Sequence, residues 1–159
     1  MLEEFKQYYL DNRDFLRSSI YWMVRSDDVD DLVQATFVKA WQHYSSFKKE
    51  SSFKTWIYRI AMNTTYDYLK KNKVPTFDYD INEAAAPKQD NDLRDLISKA
   101  LFTMTPKHRE VFILHYKLGY KIREIAKLQN NTEGTIKSRL HYARDKFTHF
   151  LKDNGVEHE

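Results

Sequence analysis

Apolar residues recur along most of this chain every three to four positions, the period of amphipathic helices. Phe5, Tyr8, Tyr9, Phe15, Leu16, Ile20 and Met23 predict one or two helices over 3–25. Asp27 and Asp28 cap the next, which runs to about His43 on a stripe of Val29, Leu32, Val33, Thr36, Phe37 and Ala40. The polar, basic stretch before Phe53 predicts a loop. Residues 53–71 predict a long helix that buries Phe53, Ile57, Ile60, Ala61, Thr64 and Tyr68. The pattern breaks over 72–91, where Pro75, Pro87, Ala84-Ala85-Ala86 and several acids predict a linker. Helical spacing resumes with Leu93, Leu96, Ile97, Ala100 and Leu101. Thr105-Pro106 reads as an N-cap followed by proline at the first helical position, and Gly119 as the stop of that helix. Then come a helix from 121, a break at Asn130-Asn131-Thr132, and a helix opening at Glu133: a helix-turn-helix. The expected fold is all-α, with two small helical domains (1–72 and 92–153), a flexible acidic linker (73–91) and a tail (154–159).

Composition narrows the function classes. With 42% hydrophobic residues the 159-residue chain can bury a core, and three Gly and three Pro favour helices over turn-rich β architecture. The absence of Cys excludes disulfides and thiolate metal sites, and suits a reducing cytoplasm. No run of about 18 apolar residues predicts a membrane span, and Met1-Leu2-Glu3-Glu4-Phe5 lacks the basic-then-apolar order of a signal peptide. The six His are scattered, and neither a Gly-rich phosphate loop nor a His-Glu-x-x-His is present. No metal, no cofactor and no enzymatic activity are expected.

Charge is unevenly spread. Twelve Lys/Arg face ten Asp/Glu in 1–73, two face six in 74–95, and twelve face seven in 96–159. Two basic ends flanking an acidic middle suit two nucleic-acid-facing units joined by a tether that DNA repels.

Three helix faces carry candidate chemistry. At 100° per residue, Ile136, Leu140, Ala143 and Phe147 of the last helix face a core. Gly134, Lys137, Ser138, His141 and Asp145 face away from it, with Tyr142 at one edge and Arg139 and Arg144 flanking the apolar stripe. Hydrogen-bonding groups at the start of such a helix can meet base edges, and the flanking arginines phosphates; an ordinary solvated face has the same pattern. On the long helix 53–71, Trp56, Arg59, Asn63, Tyr66 and Lys70 form a second stripe, preceded by Lys48, Lys49, Ser51 and Ser52. Interleaved aromatic, amide and basic groups fit single-stranded nucleic acid, although Trp56 fits a core equally well. On the helix 27–43, Asp30, Gln34, Phe37 and Trp41 share one edge, with Asp31, Val38 and Gln42 nearby. Acids beside exposed aromatics fit a protein partner with basic side chains.

At this point the chain resembles the bacterial RNA polymerase sigma factors of the extracytoplasmic-function type (ECF, group IV of the sigma-70 superfamily). Asp30-Asp31-Leu32-Val33-Gln34-Ala35-Thr36-Phe37-Val38-Lys39-Ala40-Trp41 is similar to the part of sigma region 2 that grips core polymerase. Phe53-Lys54-Thr55-Trp56-Ile57-Tyr58-Arg59-Ile60-Ala61-Met62-Asn63-Thr64 with Asp67-Tyr68-Leu69 is similar to its promoter-melting part. Met104-Thr105-Pro106 through Gly134-Thr135-Ile136-Lys137-Ser138-Arg139-Leu140 is similar to sigma region 4, which reads the −35 element. The three stretches occur in the family's order and cover most of the chain.

The resemblance implies a cytoplasmic sigma factor whose first domain binds the clamp helices of the polymerase largest subunit through Asp30, Asp31, Gln34, Phe37, Val38 and Trp41. It implies −10 contacts from Lys48, Lys49, Ser51, Ser52, Trp56, Arg59, Asn63, Tyr66 and Lys70, the loop 47–53 capturing a flipped base near Asn63. It implies −35 contacts from His115, Lys137, Ser138, Arg139, His141, Tyr142 and Arg144, with the second domain on the polymerase β flap. It also implies an anti-sigma factor. Departures bear on specificity: His115 and Tyr142 stand where relatives often carry Arg, Met62 where Arg or Val is usual, and Arg123-Glu124 where an acidic pair is usual. The alternative, a stand-alone helix-turn-helix regulator, leaves 30–41 and 53–69 unexplained.

Overall fold

The computed structural model describes residues 1–72 and 90–156, with side chains from 92 onward in the second stretch. The expected linker therefore falls almost wholly outside the described residues. Every regular element among these is helical: α1 (Leu2–Val24), α2 (Val29–Gln42), a short 3₁₀ turn (Tyr44–Ser46), α3 (Phe53–Lys71), α4 (Asp90–Leu101), α5 (Pro106–Phe112) with a π turn (Ile113–Lys117), α6 (Ile122–Gln129) and α7 (Glu133–Asp153). The chain divides into two compact units, one built on α1–α3, the other on α4, α5, α7 and most of α6.

In the first unit each helix packs on the other two. The first apolar stretch is one helix, ended by Arg25 in a left-handed conformation whose N–H bonds to the Tyr21 carbonyl. α2 buries Val29, Leu32, Val33, Thr36, Phe37 and Ala40, the stripe its spacing predicts. Its N-terminus differs from expectation. The Asp28 side chain does not cap it; the carboxylate instead accepts a hydrogen bond from the Tyr68 hydroxyl at 2.8 Å, tying the start of α2 to the end of α3. α3 buries Phe53, Ile57, Ala61 and Thr64 of its expected stripe, leaves Ile60 and Tyr68 only half-buried, and takes Tyr58, Met62, Thr65 and Leu69 inside instead.

In the second unit Thr105 caps α5, accepting from the His108 N–H, and Pro106 occupies the first turn. After the π turn, Gly119 takes φ +75°, the left-handed stop expected of it. Inside lie Arg109 and Glu110, which apolar periodicity does not flag. The Arg109 guanidinium lies 4.0 Å above the Phe102 ring and donates to the Met104 carbonyl. Leu96, Ala100 and Phe150 form an α4–α7 core with Phe147, Leu151 and Val156 packed against it. Val156 is thus not a free tail: Gly155 turns at φ +80° and the Val156 N–H bonds back to the Leu151 carbonyl, a Schellman closure with its apolar contact.

Candidate nucleic-acid and polymerase surfaces

The helix-turn-helix is built by backbone chemistry at its turn. Asn130 ends α6 with φ +53°, and the Asn131 N–H reaches the Ala126 carbonyl at 2.9 Å. Asn tolerates this left-handed position better than most residues. Thr132 then caps α7, its hydroxyl accepting from the Thr135 N–H at 3.1 Å. Ile136, Leu140, Ala143 and Phe150 hold α7 to the core, with Phe147 partly covered. That anchoring turns Gly134, Lys137, Ser138, His141, Tyr142 and Arg144 to solvent, while Arg139 is half-buried. Asp145 sits 3.4 Å from His141. Gly134 has no packing reason to lack a side chain, since an added Cβ meets only the Thr132 hydroxyl at 3.9 Å.

One histidine borders this face from α5, and a second candidate, His115, sits in the π turn. His108 stacks on Tyr142 at 5.8 Å, and burial, then the nearby Arg139 charge, hold its pKa below the usual imidazole range. Half-buried His115 places Nδ1 2.8 Å from the Tyr120 carbonyl oxygen. A carbonyl only accepts, so Nδ1 carries the proton and donates it there, leaving Nε2 as the outer ring nitrogen.

In the first unit the loop between Phe47 and Ser52 rides on aromatic rings. Phe47 stacks on Trp56 at 4.9 Å and meets Phe53 edge-on at 5.8 Å. Trp56 is half-buried beneath the loop, against the Phe47 ring. Ser52 is also committed: its hydroxyl caps α3 by accepting from the Thr55 N–H at 3.1 Å. Lys48 and Lys49 are exposed and Ser51 half-covered. Along α3, Arg59, Asn63 and Lys70 stand in solvent, with Tyr66 half-buried. The stripe thus has a polar, accessible edge and a packed aromatic base.

The α2 edge divides likewise. Asp31, Gln34, Val38 and Trp41 are exposed, Val38 at 51% and Trp41 at 44%. Phe37 corrects the expectation of an exposed contact: at 6% exposure it faces the core, where it meets Phe5 and Tyr9 edge-on. Asp30 pairs with Arg17 of α1 at 2.9 Å. Between α1 and α2 runs a groove of about 760 Å³ lined by Tyr9, Arg13, Gln34, Val38 and Trp41, among others. Among the described residues no His/Asp/Glu cluster could hold a metal ion, and no helix is long and apolar enough to cross a membrane.

A helical unit with an exposed basic-amide stripe, followed by one ending in a helix-turn-helix, defines a DNA-binding factor of two parts. Comparison with known proteins makes the class specific. Residues 8–74 match the family model for Sigma-70 region 2, and residues 94–147 that for Sigma-70, region 4. The ECF RNA polymerase sigma-E factor of Escherichia coli (strain K12) is 31% identical over 151 residues, spanning 84% of this chain and 76% of the relative. The ECF RNA polymerase sigma factor SigW of Bacillus subtilis (strain 168) is 27% identical over 144 residues, spanning 79% and 76%. Among solved structures, the sigma factor RpoE in complex with the anti-sigma factor NepR from Bartonella quintana superposes with a TM-score of 0.73 at 30% identity, covering 94% of this chain and 98% of that one. CnrH, in complex with the cytosolic domain of CnrY, shares the fold with a TM-score of 0.76 at 22% identity over 98% of this chain and 92% of that one. The chain belongs to the ECF RNA polymerase sigma factors, which direct promoter-specific transcription initiation.

Proposed function

We propose that this chain, acting in the cytoplasm, binds core RNA polymerase and opens promoters with residues 1–72 while reading the −35 element with residues 92–153. In this reading α7 enters the major groove by its N-terminal half. Lys137, Ser138, His141 and Tyr142 face base edges, and Arg139 and Arg144 engage phosphates. His115, its Nδ1 turned to the Tyr120 carbonyl, adds Nε2 to the same reading set. Lys48, Lys49, Ser51, Arg59, Asn63, Tyr66 and Lys70 meet the separated −10 strand, Trp56 and Ser52 serving to hold the loop. Asp31, Gln34, Val38 and Trp41 meet the clamp helices of the polymerase largest subunit, with Asp30 and Phe37 shaping the groove from behind. The second unit rests on the β flap. The chemistry of RNA synthesis is the polymerase's. Because the RpoE relative is solved with an anti-sigma factor, we assign this chain an anti-sigma partner too.

The observation that carries the reading is the coexistence of two outward polar faces, on α3 and on α7, each opposite a closed apolar core. A plain DNA-binding regulator needs only the second. In-vitro transcription with bacterial core polymerase on a promoter library tests it. New starts selective at both promoter elements are the expected result. Salt-sensitive duplex binding by the protein alone, without starts, overturns it in favour of the regulator.

A further inference from the structure

The loop assigned to the −10 strand is held from a distant part of the chain. Lys49 has a left-handed backbone, φ +59°, which residues other than glycine rarely adopt and which persists where the surroundings enforce it. Its ammonium lies 3.5 Å from the carboxylate of Glu4, in the first turn of α1. The same carboxylate accepts from the hydroxyls of Tyr44, which begins the 3₁₀ turn leading into the loop, and Tyr8, whose ring stacks on Phe53 at 4.1 Å where the loop ends. Phe5, the neighbour of Glu4, meets Tyr44 at 5.2 Å and Phe53 at 6.1 Å. One turn of α1 therefore touches the entry, the middle and the exit of the loop.

A carboxylate beside a surface that meets phosphates works against binding, because it cancels part of the charge that draws DNA in. Its presence calls for a reason other than affinity, and its three partners supply one. We propose that Glu4 is a positioning residue for −10 recognition: by gathering Tyr8, Tyr44 and Lys49 it fixes the loop in the shape offered to the separated strand. The inference rests on the reading of the loop as the −10 surface. The substitution Glu4→Gln separates the two roles, because loss of charge and loss of position act with opposite sign.

The test uses the full chain with core polymerase, on a promoter with its preferred −10 bases and on single-base −10 variants, with promoter melting followed by 2-aminopurine fluorescence. For E4Q the ratio of preferred to variant promoters falls about two- to fivefold, the span an exposed ion pair reaches. Discrimination at −35 and the thermal midpoint do not change. Tyr44→Phe, which keeps the ring and removes the hydroxyl, moves the ratio the same way and covers the case of a poorly folding E4Q. Stronger melting of every promoter with an unchanged ratio makes Glu4 a charge only and overturns the proposal. The control is the double substitution Lys48→Ala with Ser51→Ala. If it shifts the ratio and E4Q and Tyr44→Phe do not, positioning by Glu4 fails while the −10 reading stands. If none of the three shifts it, the −10 reading of the loop fails and takes the proposal with it.

Discussion

Ile136 has no exposed surface, whereas the next residue, Lys137, stands in solvent. Adjacent positions on α7 are therefore expected to fail in different ways. Ile136→Ala removes buried methylenes and leaves a cavity, lowering stability by about 2–5 kcal/mol in urea unfolding. Lys137→Ala leaves the unfolding curve within about 0.5 kcal/mol and instead weakens −35 discrimination, by the roughly 1–3 kcal/mol that one good base contact supplies. Equal output from −35 variants with wild type and Lys137→Ala removes Lys137 from the reading face. The outward set on α7 was legible from the helical wheel because a single apolar stripe decides it. Arg109 was not: a buried guanidinium looks like a surface group in a polarity pattern, and its burial makes sense once the Phe102 ring and Met104 carbonyl are seen beside it.

The start of α7 is an element-scale device in which a cap and a bare backbone do separate things. Thr132 satisfies the Thr135 N–H, so Thr132→Ala lowers the stability of the second unit by about 1 kcal/mol. Gly134 sits two residues on, where a Cβ would make one ordinary contact with the Thr132 hydroxyl at 3.9 Å, and Gly134→Ala raises stability by up to about 1 kcal/mol. If the first turn of α7 approaches a phosphate backbone, the added methyl weakens duplex binding although the fold is firmer. Urea unfolding and DNA titration on the same samples read the two effects, and tighter DNA binding by the Gly134→Ala variant rejects close approach. Element boundaries were read well from the Thr105 cap, the Gly119 stop and the break at Asn130-Asn131-Thr132. Burial on α3 was read too narrowly. A one-stripe wheel assumes a single packing partner, and α3 packs on both α1 and α2, drawing Tyr58, Met62, Thr65 and Leu69 inside. The cap expected of Asp28 failed for a similar reason: Tyr68, far along the chain, claims its carboxylate.

Over the whole molecule the two units carry opposite dependences on pH. In the second unit, burial and the Arg139 charge lower the pKa of His108 from its ordinary 6.5. The unfolded chain therefore binds the proton first, and the stability that neutral His108 contributes, present above about pH 6.5, is lost as pH falls toward the folded value. In the first unit, burial and then the hydrogen bond to Glu4 push Tyr44 up to about 12 from the ordinary 10. Its contribution is complete below about pH 10 and is lost as pH rises through about 12. Urea unfolding followed by amide resonances from each unit is expected to show the second unit weaker at pH 5.5 than at 7.5, a difference that shrinks in His108→Gln. Absorbance titration is expected to show late-ionising tyrosines among the eleven in the sequence, with one fewer in Tyr44→Phe. The groups involved sit beside the two promoter-reading surfaces proposed above, Tyr44 at the entry to the −10 loop and His108 against Tyr142. Acid is therefore expected to impair −35 reading before −10 melting, and a −10 defect that appears first on acidification contradicts this assignment of roles.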